Sequence, residues 1–246
     1  MTQKRLLKII TDVRVSFVSA CNQTQAFIAS LPDTALSAST VWDENHDQTR
    51  SRLNTVEEGI LRGAWVARNQ DTNQWIQVDL QSAKTVTKVE TQGRNVNEQW
   101  VTSYQLATSL TGDEADFEYV TSSADGAVVT FNANSDRDTI VSNSFSPRVA
   151  RFVRLYPQAW NTYIALRWEV FRCGCGPITI ENAFVNTSDI MVGAHVRIEC
   201  GAGFVLQDES SGQGSLDVEC GVDGEWNHNL TQVSCDGMFF QHAPNT

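Results

Sequence analysis

Four histidines, six cysteines and a few paired carboxylates are the groups with which this 246-residue chain could do chemistry. The histidines, at 46, 195, 228 and 242, are scattered along the sequence. No G-x-S-x-G, no H-E-x-x-H and no phosphate-cradling glycine loop accompanies them. Glu57-Glu58 and Asp208-Glu209 sit in polar stretches and read as solvated faces. Cys173-Gly174-Cys175 offers a thiolate pair to a soft metal, but two disulfides in neighbouring modules account for all six cysteines. Asn132, Asn134, Asp136 and Asp138 alternate like the start of an EF-hand loop. The sixth position is then Arg137 instead of glycine and the twelfth Asn143 instead of glutamate, so the stretch reads as a loop entering a strand. Without a poised constellation, the sequence predicts a binding protein and not an enzyme.

The cysteines stand at 21, 173, 175, 200, 220 and 235, an even set without a CxxC pair. That pattern points to disulfides and an oxidising compartment. Sequons at Asn22, Asn186 and Asn229 agree with export and with a glycoprotein. The net charge of −11 divides into +3 over residues 1–20, −5 over 21–173 and −9 over 174–246. So acidic a surface repels phosphate backbones and anionic headgroups, which excludes nucleic acid as a partner. No run of about 18 apolar residues is present to span a membrane. Residues 1–20 admit two readings. Lys4, Arg5, Lys8 and Val18-Ser19-Ala20 suggest a signal peptide, whereas Asp12 and Arg14 interrupt its apolar run and fit the interior of a longer parent.

The elements that must position any site read as β throughout. Trp75–Leu80 alternates apolar and polar residues, and Thr85–Val89 does so in the opposite phase. Further strands are predicted at Ala127–Phe131, Thr139–Val141, Arg151–Tyr156 and Ala165–Phe171. Turns fall at Thr111-Gly112-Asp113 and Ala124-Asp125-Gly126. No segment of ten residues carries helical periodicity. Many short strands with frequent turns predict an all-β antiparallel sandwich or barrel. Trp65, Trp75 and Trp168 lie in strand patterns and are assigned to the core; Trp100 and Trp160 are left undecided.

Trp75–Leu80, Thr91–Arg94, Gln99–Tyr104, Ala150–Pro157, Trp160 and Ile164–Glu169 follow one another in an order that closely resembles the discoidin, or coagulation factor V/VIII type C, family. The resemblance covers residues 21–173. It implies an eight-stranded jelly-roll barrel with Cys21 paired to Cys173. Residues 175–235 resemble a sushi (complement control protein) module, through Cys175-Gly176-Pro177, Gly193, Cys200, Gly203–Leu206, Cys220, Gly224-Glu225-Trp226 and Cys235. That likeness implies the pairs Cys175–Cys220 and Cys200–Cys235, with Trp226 completing a small core. Ile198 stands where the family usually has an aromatic, no proline precedes Cys235, and Gln207–Gly214 reads as a long Ser/Gly-rich loop. Residues 236–246 read as a tail.

The discoidin resemblance also implies that recognition occurs on loops at one end of the barrel. Three stretches match them: Trp42–His46, Arg94–Glu98 with Trp100 beside it, and Trp160–Tyr163. The candidate ligand-binding residues are Trp42, Asp43, Glu44, Asn45, His46, Arg94, Asn95, Asn97, Glu98, Trp100 and Trp160. Trp42 lies between polar and charged runs; it either stands exposed to stack on a sugar or fill a partner's pocket, or folds back on the barrel rim. Arg94 either grips a ligand carboxylate in a fork or pairs with Glu98. Asp43, Glu44, Asn97 and Glu98 occupy places where phosphatidylserine-binding relatives need aliphatic tips, so an anionic membrane is not expected as a partner. A tryptophan like Trp42 and an arginine like Arg94 resemble the collagen-binding receptors, although their acidic partner falls at Gly59. His46 lacks the spaced arginines of the fucose-binding branch. No cofactor is expected; a structural calcium between Glu57–Gly63 and Glu169 is the one alternative the family suggests. The resemblance thus implies an extracellular adhesion protein binding a glycan or a matrix or cell-surface protein, or alternatively a complement-like interaction module without sugar binding.

Overall fold

The computed structural model describes residues 23–207, 214–221 and 224–237. The expectations for residues 1–20, Cys21, Asn22, most of the Gln207–Gly214 loop and the tail from 238 lie outside the described residues. Nine antiparallel strands run β1 (Gln23–Ala26), β2 (Leu36–Ala38), β3 (Trp65–Val66), β4 (Ile76–Gln92), β5 (Trp100–Ser109), β6 (Glu118–Tyr119), β7 (Phe131–Asn132), β8 (Val141–Asn161) and β9 (Ala165–Gly174). They are hydrogen-bonded in the order β1-β9-β4-β8-β5-β6, with β2 on β4, β3 on β9 and β7 on β5. The result is an antiparallel sandwich, with short 3-10 turns as the only helical pieces among the described residues.

The long ribbons follow from the residue pattern. Ile76, Val78 and Leu80 are buried on one face while Gln77 and Asp79 are half-exposed on the other. The register against β8 then shifts between Asp79 and Lys84, next to Gln81 at φ 67°, and again between Val86 and Lys88. These bulges bend the strand and keep Val86 and Val89 inward after the break. Sequence alternation therefore predicts two strands where β4 is one bent ribbon. β9 is buried along almost its whole length, because it lies between β1, β3 and β4. The main core gathers Trp65, Trp168, Tyr104, Ile76, Leu106, Leu155 and Leu166, all fully enclosed.

Three local expectations need correction. Of Ala127–Phe131, Val128 makes a single bridge to Thr121 and Phe131 begins β7; of Thr139–Val141, only Val141 is in a strand. Turn chemistry wins there: Asp136 Oδ1 accepts from the backbone N–H of Asp138 (2.8 Å) and Thr139 (2.7 Å), so the chain closes a loop first. Trp75 is half-buried instead of core, because it precedes β4 and carries the buried Arg154 guanidinium over its ring at 4.2 Å.

Beyond Gly174 the chain forms two small sheets. β10 (Ala183–Val185), β11 (His195–Cys200) and β13 (Ser215–Glu219) make one, and β12 (Phe204–Gln207) with β14 (Ser234–Gly237) the other. Disulfide Cys200–Cys235 joins the two sheets and Cys175–Cys220 ties the start of the region to the end of β13, with Cα separations of 5.5 and 5.8 Å. Val196, Ile198, Val218 and Leu206 close around these bridges in a second, separate apolar cluster. So small a core is the situation in which cross-links replace apolar burial. Backbone bonds from Cys175 N to Ile190 O (2.7 Å) and Val192 N to Cys173 O (3.3 Å) join this region to the end of β9.

Candidate functional site

Four loops meet at one end of the sandwich. The first leaves β2 and is pinned where Trp65 Nε1 donates to Thr40 O (3.0 Å) and Trp42 N donates to Val66 O (2.8 Å). The second joins β4 to β5 and is closed by Arg94 N to Gln99 O (2.9 Å) and Gln99 N to Asn97 O (2.8 Å). The third turns from β8 to β9, and its Asn161 Nδ2 donates to Glu98 O of the second (2.8 Å). The fourth precedes β3 and is stitched to the second by Asn95 N to Gly63 O (3.2 Å) and Glu57 N to Asn95 Oδ1 (3.1 Å). Below them the buried guanidinium of Arg167, on β9, donates to Gly93 O (2.6 Å), Thr55 O (2.9 Å) and Arg137 O (2.7 Å). One side chain thus holds three loop bases together.

The loops enclose a cavity of about 470 Å³ lined by Trp42, His46, Glu57, Arg62, Val66, Arg94, Val96, Asn97, Gln99 and Tyr163. Trp42 is 44% exposed and meets Tyr163 edge to face, with ring centroids 5.5 Å apart. Trp42 is thus exposed over part of its ring and packed on Tyr163 over the rest, beside the cavity it lines. Glu57 Oε1 pairs with Arg62 (2.7 Å), while Glu57 Oε2 is buried without a hydrogen-bond partner among the described residues. His46 is buried and its Nδ1 lies 2.6 Å from Asp43 Oδ1. That bond chiefly holds the Asp43 carboxyl below its ordinary range. Arg94 Nη1 donates to Gln99 Oε1 (2.8 Å), and the Asn97 oxygen, in the orientation that satisfies both its polar atoms, accepts from Arg94 Nε (3.2 Å) and Nη2 (3.3 Å). Burial lowers the Arg94 pKa, with Glu57 opposing. Among the described residues Arg94 has no ion-pair partner, and Glu98 faces Arg137 (3.3 Å) instead. The Arg94–Glu98 pairing is thereby corrected: Gln99 and Asn97 occupy the guanidinium.

Two residues of these loops have left-handed backbones, Val96 (φ 78°) and Thr162 (φ 63°). Both are β-branched, and such conformations cost about 1–3 kcal/mol each and persist only where the surroundings impose them. Each is held by hydrogen bonds around it: Val96 O accepts from Arg137 (3.1 Å), and Tyr163 N donates to Asn161 O across Thr162 (2.7 Å).

Of the sequence candidates, Trp42, His46, Arg94 and Asn97 line the cavity. Asp43 stands behind His46, Asn45 O accepts from Arg62 N (2.9 Å), Glu44 is exposed, and Asn95 is the stitch between loops. Trp100 is half-buried opposite Asn161 in the sheet, and Trp160 packs against the main core. Sequence reasoning took Glu57 for a solvated face or part of a calcium turn that also spans Arg62, passed over Val66 and Gln99 as site residues, and named Val96 and Tyr163 only within matching stretches. It also missed an exposed apolar set: Ile60 (71%), Val96 (58%), Val56 (52%) and Leu61 (38%). Single apolar residues in polar loops carry no periodic signal, so nothing in the sequence distinguished them.

The calcium alternative does not fit these residues. Glu169 is buried and accepts from the backbone N–H of Phe27 (2.9 Å), Ile28 (2.5 Å), Val170 (2.9 Å) and Ala29 (3.0 Å). Its oxygens face four donors, and Glu57 is paired with Arg62.

A family model described as the F5/8 type C domain matches residues 35–170. Retinoschisin from Takifugu rubripes is 38% identical over 135 residues, covering 54% of this chain and 46% of that protein. Discoidin-2 from Dictyostelium discoideum is 32% identical over 166 residues, covering 64% of this chain and 60% of the relative. The chain spans about half the length of the retinoschisins it matches. The solved structure of wild-type discoidin II from Dictyostelium discoideum superposes with a TM-score of 0.54 at 28% identity, over 76% of this chain and 71% of that one. The family match stops at residue 170, before the disulfide-tied sheets.

Proposed function

Because the chain belongs to the F5/8 type C domain family, and is on that ground a non-catalytic binding protein, we propose that it is an extracellular adhesion and recognition protein whose loop-end cavity binds a glycan. The carrying observation is the pairing of an exposed indole, Trp42 against Tyr163, with polar groups fixed beneath it at Glu57, Arg62 and Arg94. An aromatic face supplies stacking to the apolar side of a sugar ring, and fixed donors and acceptors read its hydroxyls. Arg167 and the inter-loop bonds hold the loops in this geometry, which lowers the ordering cost of binding. Export is supported by the disulfides, which persist in oxidising compartments.

On this reading residues 21–173 form the recognition domain and 175–235 a sushi module that acts as spacer and protein-contact surface. The crossed pairs Cys175–Cys220 and Cys200–Cys235, with Trp226 against their cluster, support that assignment. A second reading, a protein partner docking on the loop end, is favoured by the exposed Val56, Ile60, Leu61 and Val96. A glycan array probed with the fully oxidised protein and with its Trp42→Ala variant tests the first. Reproducible sugar hits that the variant loses are expected. A blank array from disulfide-complete protein overturns the glycan reading in favour of the protein partner.

A further inference from the structure

A second cavity of about 470 Å³ lies in the disulfide-tied region, lined by Gly176, Pro177, Trp226, Asn227, Asn229 and Thr231 among others. Its wall contains a complete acceptor sequon, Asn229-Leu230-Thr231, with Trp226 three residues upstream. Asn229 is exposed. Its Oδ1 accepts from Thr231 Oγ1 (2.7 Å) and Thr231 N (3.2 Å), which curls the sequon back on itself, and its Nδ2 donates to Gln232 Oε1 (3.2 Å). Trp226 is held from behind: Nε1 donates to Gly176 O (2.8 Å) and the ring packs on the apolar cluster, while Trp226 also borders the cavity. The other described sequon differs. The oxygen of Asn186 accepts from Arg197 N (2.8 Å) on the neighbouring strand, and neither cavity is lined by it.

We propose that Asn229 carries an N-linked glycan whose first N-acetylhexosamine occupies this cavity and stacks on Trp226. In the modification, Asn229 Nδ2 forms a bond to C1 of an oligosaccharide carried on a lipid diphosphate donor. The C1–O bond to phosphate breaks, the lipid diphosphate leaves, and the amide gives up one proton. The sugar then lies over a fixed indole, with exposed polar side chains such as Asn227 around it for its hydroxyls and acetamide. This occupant is covalently tethered, so its effective concentration at the cavity is high and even weak stacking fills it. The consequence is structural: the glycan extends a core too small to be stable without cross-links.

The test uses the whole chain secreted from glycosylating cells. Peptide mapping before and after enzymatic deglycosylation is expected to show Asn229 occupied, and an unoccupied Asn229 in secreted protein overturns the proposal. In the occupied wild-type protein, isotope-labelled sugar is expected to give nuclear Overhauser contacts to the Trp226 ring and upfield-shifted sugar resonances. A glycan with free-solution shifts and no such contact overturns the stacking. Trimming the glycan is expected to lower the unfolding midpoint in wild type, and to lower it less in Trp226→Leu. Because that variant can fail to fold, the labelled-sugar measurement on wild type stands independently of it.

Discussion

Trp42 and Tyr163, which belong to loops 121 residues apart in sequence, meet edge to face at 5.5 Å, and both line the loop-end cavity. Such aromatic pairs are worth about 0.5–1.5 kcal/mol beyond their burial. Trp42→Ala is expected to weaken ligand binding by about 2 kcal/mol, roughly 30-fold, as loss of an anchoring aromatic does. Tyr163→Ala is expected to cost less, by freeing the indole. A double-mutant cycle measured by titration calorimetry should show coupling between them; additive losses would mean that the ring contact does not organise the site.

Arg167 has three backbone carbonyls and Asp138 as its acceptors, at the bases of loops that do not touch its own strand in sequence. Replacing it with methionine keeps the stem and removes the donor from all four acceptors; the buried Gly93 O costs about 1–3 kcal/mol when unsatisfied and the part-buried ones less. A loss of about 3 kcal/mol or more is expected in urea unfolding, accompanied by weaker binding. Lysine should not rescue it, since a single ammonium cannot span the fork.

The Glu169 carboxylate joins the turn at Phe27–Ala29 to β9 through four backbone donors. Glu169→Gln turns one acceptor into a donor that faces N–H groups, and a loss of about 2–4 kcal/mol is expected. The unfolding temperature of the wild-type protein should be the same in calcium and in chelator. A calcium-dependent shift would show that an ion, and not these amides, engages the carboxylate.

The legibility of these features differs by cause. Ile76, Val78 and Leu80 announced a strand because period-2 alternation is written in residue type, and Cys173-Gly174-Cys175 marked where the fold changes character. The join of two predicted strands into β4 was hidden, because the bulge at Gln81 depends on backbone geometry that residue identity does not dictate. At the site, Trp42 and Arg94 were found through motif position. Arg62 and Glu57 were placed only in a candidate calcium turn, since their value comes from reaching the same cavity across a loop whose path only the fold determines. Glu169 entered only as part of a calcium alternative, and its actual partners left no trace in the sequence, because its donors are backbone amides, which are the same at every non-proline position.

Acid should loosen the first loop through Asp43. Its pKa lies below the ordinary 3.8, first because of the His46 hydrogen bond, with further help from Asn45 N and opposition from burial. A folded-state pKa below the unfolded one means that the stabilisation is complete above about pH 3.8 and fades as the pH falls through the depressed value. Asp79, lowered chiefly by its two-pronged bond to Arg151, contributes in the same direction and window. Asp43→Asn and Asp79→Asn should each flatten the acid limb of unfolding temperature against pH. Only Asp43→Asn should also reduce binding at neutral pH, because only it stands behind His46 in the cavity wall. An unchanged acid limb in both variants would show that other carboxylates govern the transition.

Gly63 sets how closely two of the loops approach. A Cβ placed there would stand 2.6 Å from Asn95 Cβ and 3.2 Å from Asn95 O, well inside ordinary contact distance. Asn95 cannot retreat without breaking its bonds to Gly63 O and Glu57 N, and with them the placement of Glu57 and Arg94. Gly63→Ala is therefore expected to lower affinity more than stability, since the loops separate while the core strands beneath are untouched. Chemical denaturation and ligand titration on the same preparation distinguish the two effects. A variant that binds normally would show that the loops relax around a methyl group and that their close approach is incidental to recognition.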